Sequence, residues 1–182
     1  VAPVPFSGEG TKDNPYLIST ASDLVKLSEM TTASGQTFPG VYFMMTNDID
    51  LEYTDEFLGI MCNDKSTAAF AGIFDGNGHA VHRMKLIRTV WTTEPTETSL
   101  GTIDTKRVKS YQGFVGRLAA EGTVRNLTLA ADCKIELGGY SGAIVGYNFG
   151  HIENCRNLAD VVTYHGVYVG GITGYNNSTE TC

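Results

Sequence analysis

A repeat with a period of 28 residues is the feature that most constrains what this chain can fold into. Residues 131–148 match residues 159–176 at nine of 18 positions. The identical pairs are mostly glycine, tyrosine and isoleucine: Ala131/Ala159, Asp132/Asp160, Gly138/Gly166, Tyr140/Tyr168, Gly142/Gly170, Ile144/Ile172, Gly146/Gly174, Tyr147/Tyr175 and Asn148/Asn176. A constant offset of this length indicates that one supersecondary unit stacks on the next.

The composition of each unit indicates strands. Its apolar segments are short, rich in Val, Ile, Tyr and Phe, and interrupted by glycine every few residues. Helical repeats would need apolar residues at i, i+3, i+4 and i+7, and a propeller blade would need about 40 residues. The pattern therefore predicts an all-β fold, a parallel β-helix (solenoid) whose coils stack about 4.8 Å apart.

A second apolar pattern extends the repeat toward the N-terminus. Its three copies are residues 81–86, 124–129 and 152–157, separated by 43 and 28 residues. The additional 15 residues fall in a polar, threonine-rich stretch, which we interpret as an insertion at about 88–110. The alignment predicts two inward-facing ladders, one of Val81, Val124 and Ile152 and the other of Met84, Leu127 and Cys155.

The N-terminal residues have a different character. Thr20 and Asp23 form the signature of a capping box, which predicts a short helix over roughly 21–31 that ends before Gly35. An open strand edge at the end of a β-helix invites aggregation unless it is covered. We therefore interpret residues 1–40 as an N-terminal cap with a short helix and residues 41–182 as coils of the same structural domain. Because the chain stops within a repeat, we expect it to be a fragment of a longer solenoid.

Glycine and asparagine mark the predicted turns. Residues 74–78 have the sequence of a tight turn that requires positive φ. Three asparagines are predicted to hydrogen-bond to the backbone of stacked coils: Asn148, Asn157 and Asn176. Six further glycines recur at predicted coil corners: Gly113, Gly116, Gly142, Gly146, Gly170 and Gly174.

Several segments resemble the GLUG-repeat surface proteins of bacteria. They cover nearly the whole chain except the first seven residues and 88–110: Gly8–Ile18, Leu24–Leu27, Asn47–Leu51, Phe70–His79, Ser141–Asn148, Ile152–Cys155 and Val169–Asn176. The resemblance implies a right-handed parallel β-helix on a secreted or cell-surface bacterial protein, as in Bacteroidetes surface proteins and in repeats that flank immunoglobulin A1 proteases. It also implies an adhesin-like role without catalysis.

Charge and hydropathy disfavour some partners. The formal net charge is −7, which opposes binding to nucleic acid. No run of 18 apolar residues occurs, so no membrane-spanning segment is predicted.

No metal site and no cofactor are predicted. The four cysteines form no CxxC pair, which argues against zinc. Cys155 and Cys182 are 27 residues apart, and we expect buried free thiols there, with an inter-coil disulfide as the alternative. Asp132 and Asp160 occupy equivalent repeat positions and could hold Ca²⁺, but we favour turn residues that face water.

Two interpretations of the acidic residues in the best-defined motifs stay open. Paired carboxylates on a β-helix could form the site of a glycoside hydrolase or a polysaccharide lyase. We favour the other interpretation, in which Asp48 and Asp50 point outward from a strand, Asp75 belongs to a turn, and His79 and His82 are surface residues. We therefore predict no catalytic residues.

The insertion at about 88–110 is the predicted binding region, because loops that interrupt a rigid repeat scaffold commonly carry function. It contains the only tryptophan, Trp91, and a basic group formed by Lys106, Arg107 and Lys109. An exposed tryptophan can stack on a sugar ring or anchor a protein partner. The alternative is that Trp91 folds back over its own coil.

Three functions are therefore weighed. The first is a surface adhesin-like module or stalk that binds a host or microbial glycan or a surface protein. The second is a carbohydrate-active β-helix enzyme. The third is an accessory domain of an exported protease.

Overall fold

Strands form where short segments rich in β-branched and aromatic residues are bounded by glycine or polar turn residues. The computed structural model describes residues 4–62, 67–87, 95–98, 101–104 and 111–178. Within these ranges the one α-helix is α1 (Ala21–Ser28), which continues into a π-helical turn (Glu29–Ala33). The strands in chain order are β1 (Tyr16–Ile18), β2 (Tyr42–Met45), β3 (Ile49–Asp50), β4 (Ile73–Asp75), β5 (Ala80–His82), β6 (Lys85–Ile87), β7 (Pro95–Thr98), β8 (Gly101–Asp104), β9 (Tyr111–Gln112), β10 (Val115–Leu118), β11 (Thr123–Arg125), β12 (Thr128–Leu129), β13 (Lys134–Gly142), β14 (Val145–Asn148), β15 (His151–Glu153), β16 (Arg156–Asn157), β17 (Val161–Gly170) and β18 (Thr173–Asn176).

All strands except β7 and β8 lie in four sheets whose pairings are parallel. Sheet 1 has the order β1-β2-β4-β11-β15, sheet 2 has β3-β5-β12-β16, sheet 3 has β6-β13-β17 with β9 also paired to β13, and sheet 4 has β10-β14-β18. The chain visits the sheets in turn, so each strand pairs with a strand one coil away. This arrangement confirms the predicted parallel β-solenoid. Strands β7 and β8 form a separate antiparallel hairpin within the predicted insertion.

The register corrects both predicted ladders in the coil that precedes the insertion. In the second ladder, Met84 lies beside Lys85, which pairs with Lys134, so Leu127 is not its partner.

The first ladder is shifted in the same way. Val124 pairs with Ile152, as predicted, but its partner in the preceding coil is Phe74 rather than Val81. Val81 instead pairs with Leu129. The alignment was wrong by one corner because the same local structure occurs at successive corners.

The corner geometry explains that error. Segments 81–86 and 124–129 both consist of a strand, one residue with positive φ, and a second strand. The positive-φ residue is Arg83, with φ of 45°, in the first segment and Asn126, with φ of 53°, in the second. A local pattern therefore identifies a corner but cannot say which of the corners of the coil it is.

The interior of the solenoid is filled by aromatic and aliphatic side chains. The Phe74 and Phe114 rings pack edge to face with centroids 5.1 Å apart, and Phe57 lies 5.6 Å from Phe114. These contacts bury the apolar surface that stabilises the stack. The largest fully buried side chains are Phe43, Phe57, Phe70, Phe74, Phe114, Ile18, Leu24, Leu27, Met45, Ile49, Leu51 and Ile60.

The N-terminal helix forms as predicted. The Thr20 hydroxyl accepts from the Asp23 N–H, and the Asp23 carboxylate accepts from the Thr20 N–H, which completes the capping box. Leu24 and Leu27 on one face of α1 are fully buried. Strand β1 precedes this helix and pairs with β2, so the N-terminal region supplies the first strand of sheet 1.

Glycine acts in two ways in the coils. The tight turn after β4 has positive φ at Asn77 and Gly78, as predicted for residues 74–78. At Gly142 a Cβ atom would lie 2.3 Å from the Val145 carbonyl oxygen, so a close backbone approach, not φ, requires glycine there. Asn148 and Asn176 hydrogen-bond across coils, but through their side chains, Nδ2 to Oδ1 at 2.8 Å, and not to stacked backbone as predicted. The prediction is wrong for Asn157, which bonds to the backbone of Ala159 in its own turn.

Candidate functional site

Carboxylates on the outer turns bind cations and amides of the neighbouring coil. Asp48 Oδ1 accepts from the Ala80 N–H at 2.9 Å and lies 3.2 Å from His79 Nδ1. Asp50 accepts from Arg83 Nε at 2.8 Å and from Nη2 at 2.5 Å. The Ala80 N–H lowers the pKa of Asp48, and the Arg83 guanidinium lowers the pKa of Asp50. Both carboxylates are exposed and ionised, and they point outward from the strand as predicted.

Asp75 is held in the same way at the turn after β4. Its carboxylate accepts from Arg125 Nε at 2.8 Å, from Asn126 Nδ2 at 3.0 Å and from the Asn77 N–H at 2.8 Å. Burial alone would raise the pKa of Asp75, but these three hydrogen bonds lower it. Asp75 is thus a turn residue, as predicted, and it also ties two coils together.

The two histidines contact different carboxylates. His82 Nδ1 lies 3.1 Å from Asp132 Oδ2 in the following coil, whereas His79 contacts Asp48 in the preceding coil. Asp132 also accepts from the Arg83 N–H at 3.2 Å. The two imidazoles therefore do not converge on one point.

The register supports the predicted equivalence of Asp132 and Asp160 on only one side of their turns. Leu129 pairs with Asn157 at an offset of 28, but Ile135 pairs with Val161 at an offset of 26. The turn that carries Asp132 is therefore two residues longer than the turn that carries Asp160. Within the described ranges, no group of three or more His, Cys, Asp and Glu side chains is arranged to hold a metal ion.

The three described cysteines, Cys62, Cys133 and Cys155, each donate a thiol hydrogen bond to a backbone carbonyl. Cys133 Sγ lies 3.3 Å from the Val81 oxygen, and Cys155 Sγ lies 3.3 Å from the Glu153 oxygen. Burial raises the pKa of Cys133 to about 11. Cys182 lies outside the described residues, so its predicted relation to Cys155 stays a prediction.

Aromatic side chains form the most distinctive outer surface of the described coils. They come from strands of sheets 3 and 4 and lie on three successive coils. Most are partly exposed, and Tyr168 is 45% exposed. We call this surface the tyrosine face: Tyr111, Tyr140, Tyr147, Tyr168 and Tyr175.

The tyrosine face consists of two columns of rings. The first column comes from sheet 3 and the second from sheet 4: Tyr111, Tyr140 and Tyr168, and Tyr147 and Tyr175. Tyr140 and Tyr168 stack with centroids 5.1 Å apart and an interplanar angle of 27°. Tyr147 and Tyr175 stack at 4.7 Å and 20°. Rings of different columns meet edge to face, as Tyr111 and Tyr147 do at 5.2 Å and 82°. Since the rings cover one another's faces, the columns present mainly ring edges and hydroxyl groups to solvent.

One basic residue lies at the base of the second column. Arg117 in β10 pairs with Tyr147, which in turn pairs with Tyr175. The Arg117 Cζ atom lies 5.4 Å from the ring centroid of Tyr111, 5.7 Å from that of Tyr147 and 5.4 Å from that of Phe149. These distances are within the range of cation–π contact.

The predicted insertion departs from and returns to the sheet that carries the first tyrosine column. Ile87 ends β6 and Tyr111 begins β9, and both strands pair with β13. The four predicted binding residues, Trp91, Lys106, Arg107 and Lys109, lie outside the described residues. The structure therefore places only the two ends of the insertion, one of which is a member of the tyrosine face.

Sequence reasoning missed the tyrosine face. A signal was available, because Tyr140/Tyr168 and Tyr147/Tyr175 are two of the nine identities in the repeat. Strand tyrosines were interpreted only as evidence for strands. Their outward direction depends on the pleat of the strand. In β14 the partly exposed Tyr147 lies between buried Gly146 and buried Asn148.

Fold and surface together define a parallel β-solenoid with an aromatic outer face. The chain is similar to part of a Gly-rich membrane protein of Evansella cellulosilytica, with 32% identity over 156 residues, which is 81% of this chain and 15% of that protein. It is also similar to part of halomucin from Haloquadratum walsbyi, with 27% identity over 177 residues, 93% of this chain and 2% of that protein. The chain thus spans a small part of the length of either relative.

Two other comparisons gave no match. No protein-family model matches the chain, and no solved structure matches it. In the part of the chain that the structure describes, no helix is long and apolar enough to cross a membrane.

Proposed function

We propose that this chain is a non-catalytic, adhesin-like module of a secreted or cell-surface bacterial protein, which binds a glycan or a protein through the tyrosine face. The observation that carries the proposal is the exposed aromatic surface on three stacked coils. Tyrosine combines a large apolar area with a hydroxyl group and loses little side-chain entropy on binding, so it is enriched in binding surfaces.

The paired carboxylates favour a role without catalysis. A glycoside hydrolase needs one carboxylate that acts as an acid and a second that acts as a base or nucleophile across a shared groove. Asp50 and Asp75 are each neutralised by an arginine of the neighbouring coil, and Asp48 is held by a backbone N–H. Carboxylates with a lowered pKa in such pairs are poor proton donors near neutral pH.

The names of the relatives are compatible with a surface location. One is called a membrane protein, and the chain matches only a segment of it. A solenoid segment of a longer surface protein would present its outer face to partners at a fixed geometry. Repeat solenoids characteristically use such extended surfaces for binding.

The insertion is proposed as a second part of the same binding surface. It returns to the coil at Tyr111, next to Tyr140 and Tyr147. Trp91, Lys106, Arg107 and Lys109 would add an aromatic anchor and positive charge beside the tyrosine face. GLUG-type surface proteins, which the sequence resembles, would be the closest functional parallel.

Glycan and extracellular-protein arrays test the proposal. The wild-type chain is expected to bind at least one class of array ligand. Tyr168→Ser is expected to weaken that binding, because Tyr168 is the most exposed ring of the face. Val162→Ser is the matched control, since Val162 lies in the same strand and is 41% exposed but lies outside the face.

The variants separate the parts of the surface. Trp91→Ala should also weaken binding if the insertion contributes, and a normal affinity for this variant would restrict the site to the coils. Absence of binding on both arrays would contradict the binding role. Equal effects of Tyr168→Ser and Val162→Ser would contradict the assignment to the tyrosine face.

A further inference from the structure

Arg117 differs from the other two arginines that lie between stacked coils. Arg83 and Arg125 each bind an aspartate of the preceding coil. Within the described part of the chain, Arg117 makes no ion pair, and its Nε atom is buried without a hydrogen-bond partner. Arg117 as a whole is only half-buried, but an unsatisfied buried donor such as its Nε calls for an explanation.

The aromatic contacts stabilise only part of the guanidinium. Three rings surround Arg117 at 5.4 to 5.7 Å from Cζ. A ring face attracts the positive charge as a whole but does not replace an in-plane oxygen acceptor for the N–H groups. Because Nε itself is buried, an acceptor from outside the chain would bind the terminal Nη1 and Nη2 atoms of Arg117.

Two of the rings next to Arg117, those of Tyr111 and Tyr147, carry phenol hydroxyls. All five tyrosines of the face are at least partly exposed, so their side chains reach solvent. Burial, together with the phenols of Tyr175, Tyr111 and Tyr140, raises the pKa of Tyr147. The phenol thus stays protonated near neutral pH and can donate a hydrogen bond.

We propose that Arg117, together with the hydroxyl groups of the tyrosine face, binds the carboxylate of an acidic sugar residue. The proposal rests on the binding role given above and specifies its ligand class. A planar guanidinium matches a planar carboxylate through two parallel hydrogen bonds. The neighbouring hydroxyls and ring edges suit the hydroxyl groups and apolar faces of a sugar.

The net charge of the whole chain limits how an acidic saccharide can bind. A formal net charge of −7 repels a polyanion at long range. Binding of an acidic saccharide must therefore come from short-range contacts at one site, and it should depend on Arg117 far more than on other cations.

Binding of fluorescently labelled oligogalacturonate, measured by anisotropy, tests the inference. The same oligomer with methyl-esterified carboxylates is the neutral control ligand, and dextran sulfate tests for general polyanion binding. Arg117→Gln removes the cation, and Arg117→Lys keeps the charge but loses the fork of donors. Arg156→Gln is the matched control, because Arg156 is an exposed arginine on sheet 2.

The wild-type chain should bind oligogalacturonate and not its methyl ester. Loss of a charge-assisted hydrogen-bonded pair should weaken binding by about tenfold or more in Arg117→Gln, and Arg117→Lys should restore only part of it. Arg156→Gln should bind like the wild type. Circular dichroism and thermal unfolding of each variant establish that it is folded.

Four results would overturn the inference. Equal effects of Arg117→Gln and Arg156→Gln, or equal binding of dextran sulfate, would indicate nonspecific attraction. Binding of neutral glycans or proteins that depends on Tyr168 but not on Arg117 would overturn the acidic-sugar assignment and leave the proposed function standing. Absence of binding to all glycans and proteins on the arrays would overturn both.

Discussion

Gly146→Ala tests how closely neighbouring coils stack, because it adds an atom between them. Gly146 lies in β14, between β10 and β18 of sheet 4. An added Cβ atom would lie 2.6 Å from the Gln112 oxygen, 2.7 Å from the Gln112 nitrogen and 2.7 Å from the Gly116 oxygen. Ordinary contacts of this kind begin at 3.4 Å, so these backbone atoms would have to move by about 0.7 Å.

The movement would separate two coils that are joined by backbone hydrogen bonds. Phe114 N–H donates to the Ala143 oxygen at 2.9 Å, and Val115 N–H donates to the Ile144 oxygen at 2.8 Å. Overpacking costs about 1–3 kcal/mol, and weakening two such bonds costs about 0.5–1.5 kcal/mol each. The free energy of unfolding should therefore fall by about 2–6 kcal/mol, a large part of the total for a typical domain.

Urea denaturation followed by circular dichroism measures this loss. For a slope of about 2 kcal/mol per molar urea, the midpoint should fall by about 1 M or more. Gly171→Ala is the matched control, because its Cβ atom would have no atom within 4 Å and its φ is not positive. That variant should lie within about 0.5 kcal/mol of the wild type. Equal stability of the two variants would refute the stated coil separation and register.

Three further changes follow from the same contacts. Asp75→Asn should lower the free energy of unfolding at pH 7, because the contacts that lower the pKa of Asp75 stabilise the folded protein only while this carboxylate is ionised. The difference from the wild type should shrink as the pH falls below the ordinary aspartate pKa of 3.8. A constant difference from pH 7 to pH 2 would contradict this reasoning. Cys133, whose pKa is raised to about 11, should react with iodoacetamide in the native state far more slowly than after denaturation, and equal rates by mass spectrometry would contradict its burial. Asn148→Ala, which removes hydrogen bonds to Gly150 and Asn176, should lower the free energy of unfolding by about 1–3 kcal/mol. Asn154→Ala, at an exposed position, should lower it by less than about 1 kcal/mol in the same urea assay. A larger loss for Asn154→Ala would be inconsistent with the asparagine contacts.

The fold could be predicted from sequence because its repeat is local and periodic. The match of residues 131–148 to 159–176 identifies one coil and its length, and the pairing of Tyr147 with Tyr175 confirms the offset. The capping box at Thr20 was likewise recognisable, because its two hydrogen bonds join residues three apart.

Register between distant segments could not be obtained in the same way. Val81 was aligned with Val124, although Val124 pairs with Phe74, because two different corners have the same strand–turn–strand pattern. Pairing across 50 residues depends on the length of the intervening insertion, which carries no periodic signal. The difference in length between the turns that carry Asp132 and Asp160 was also not predicted. The offset is 28 in the strands before these turns and 26 in the strands after them.

The candidate site was only partly accessible from sequence. The outward direction of Asp48 and Asp50 follows from strand alternation with buried Ile49, and it was predicted. Their partners were not predicted, because Arg83 lies 33 residues from Asp50 and meets it only through stacking. The tyrosine columns and Arg117 arise in the same way, from residues that become neighbours only when coils are placed one above another.

Hydroxyl-radical footprinting of the chain with its tightest array ligand tests most directly whether the tyrosine face is the binding surface. The expected result is that oxidation of Tyr168 and Tyr175 slows on ligand binding, while oxidation of Tyr42 and Tyr53, which lie outside the face, does not change. Unchanged oxidation of Tyr168 and Tyr175, or protection confined to Tyr42 and Tyr53, would contradict a binding role for the tyrosine face.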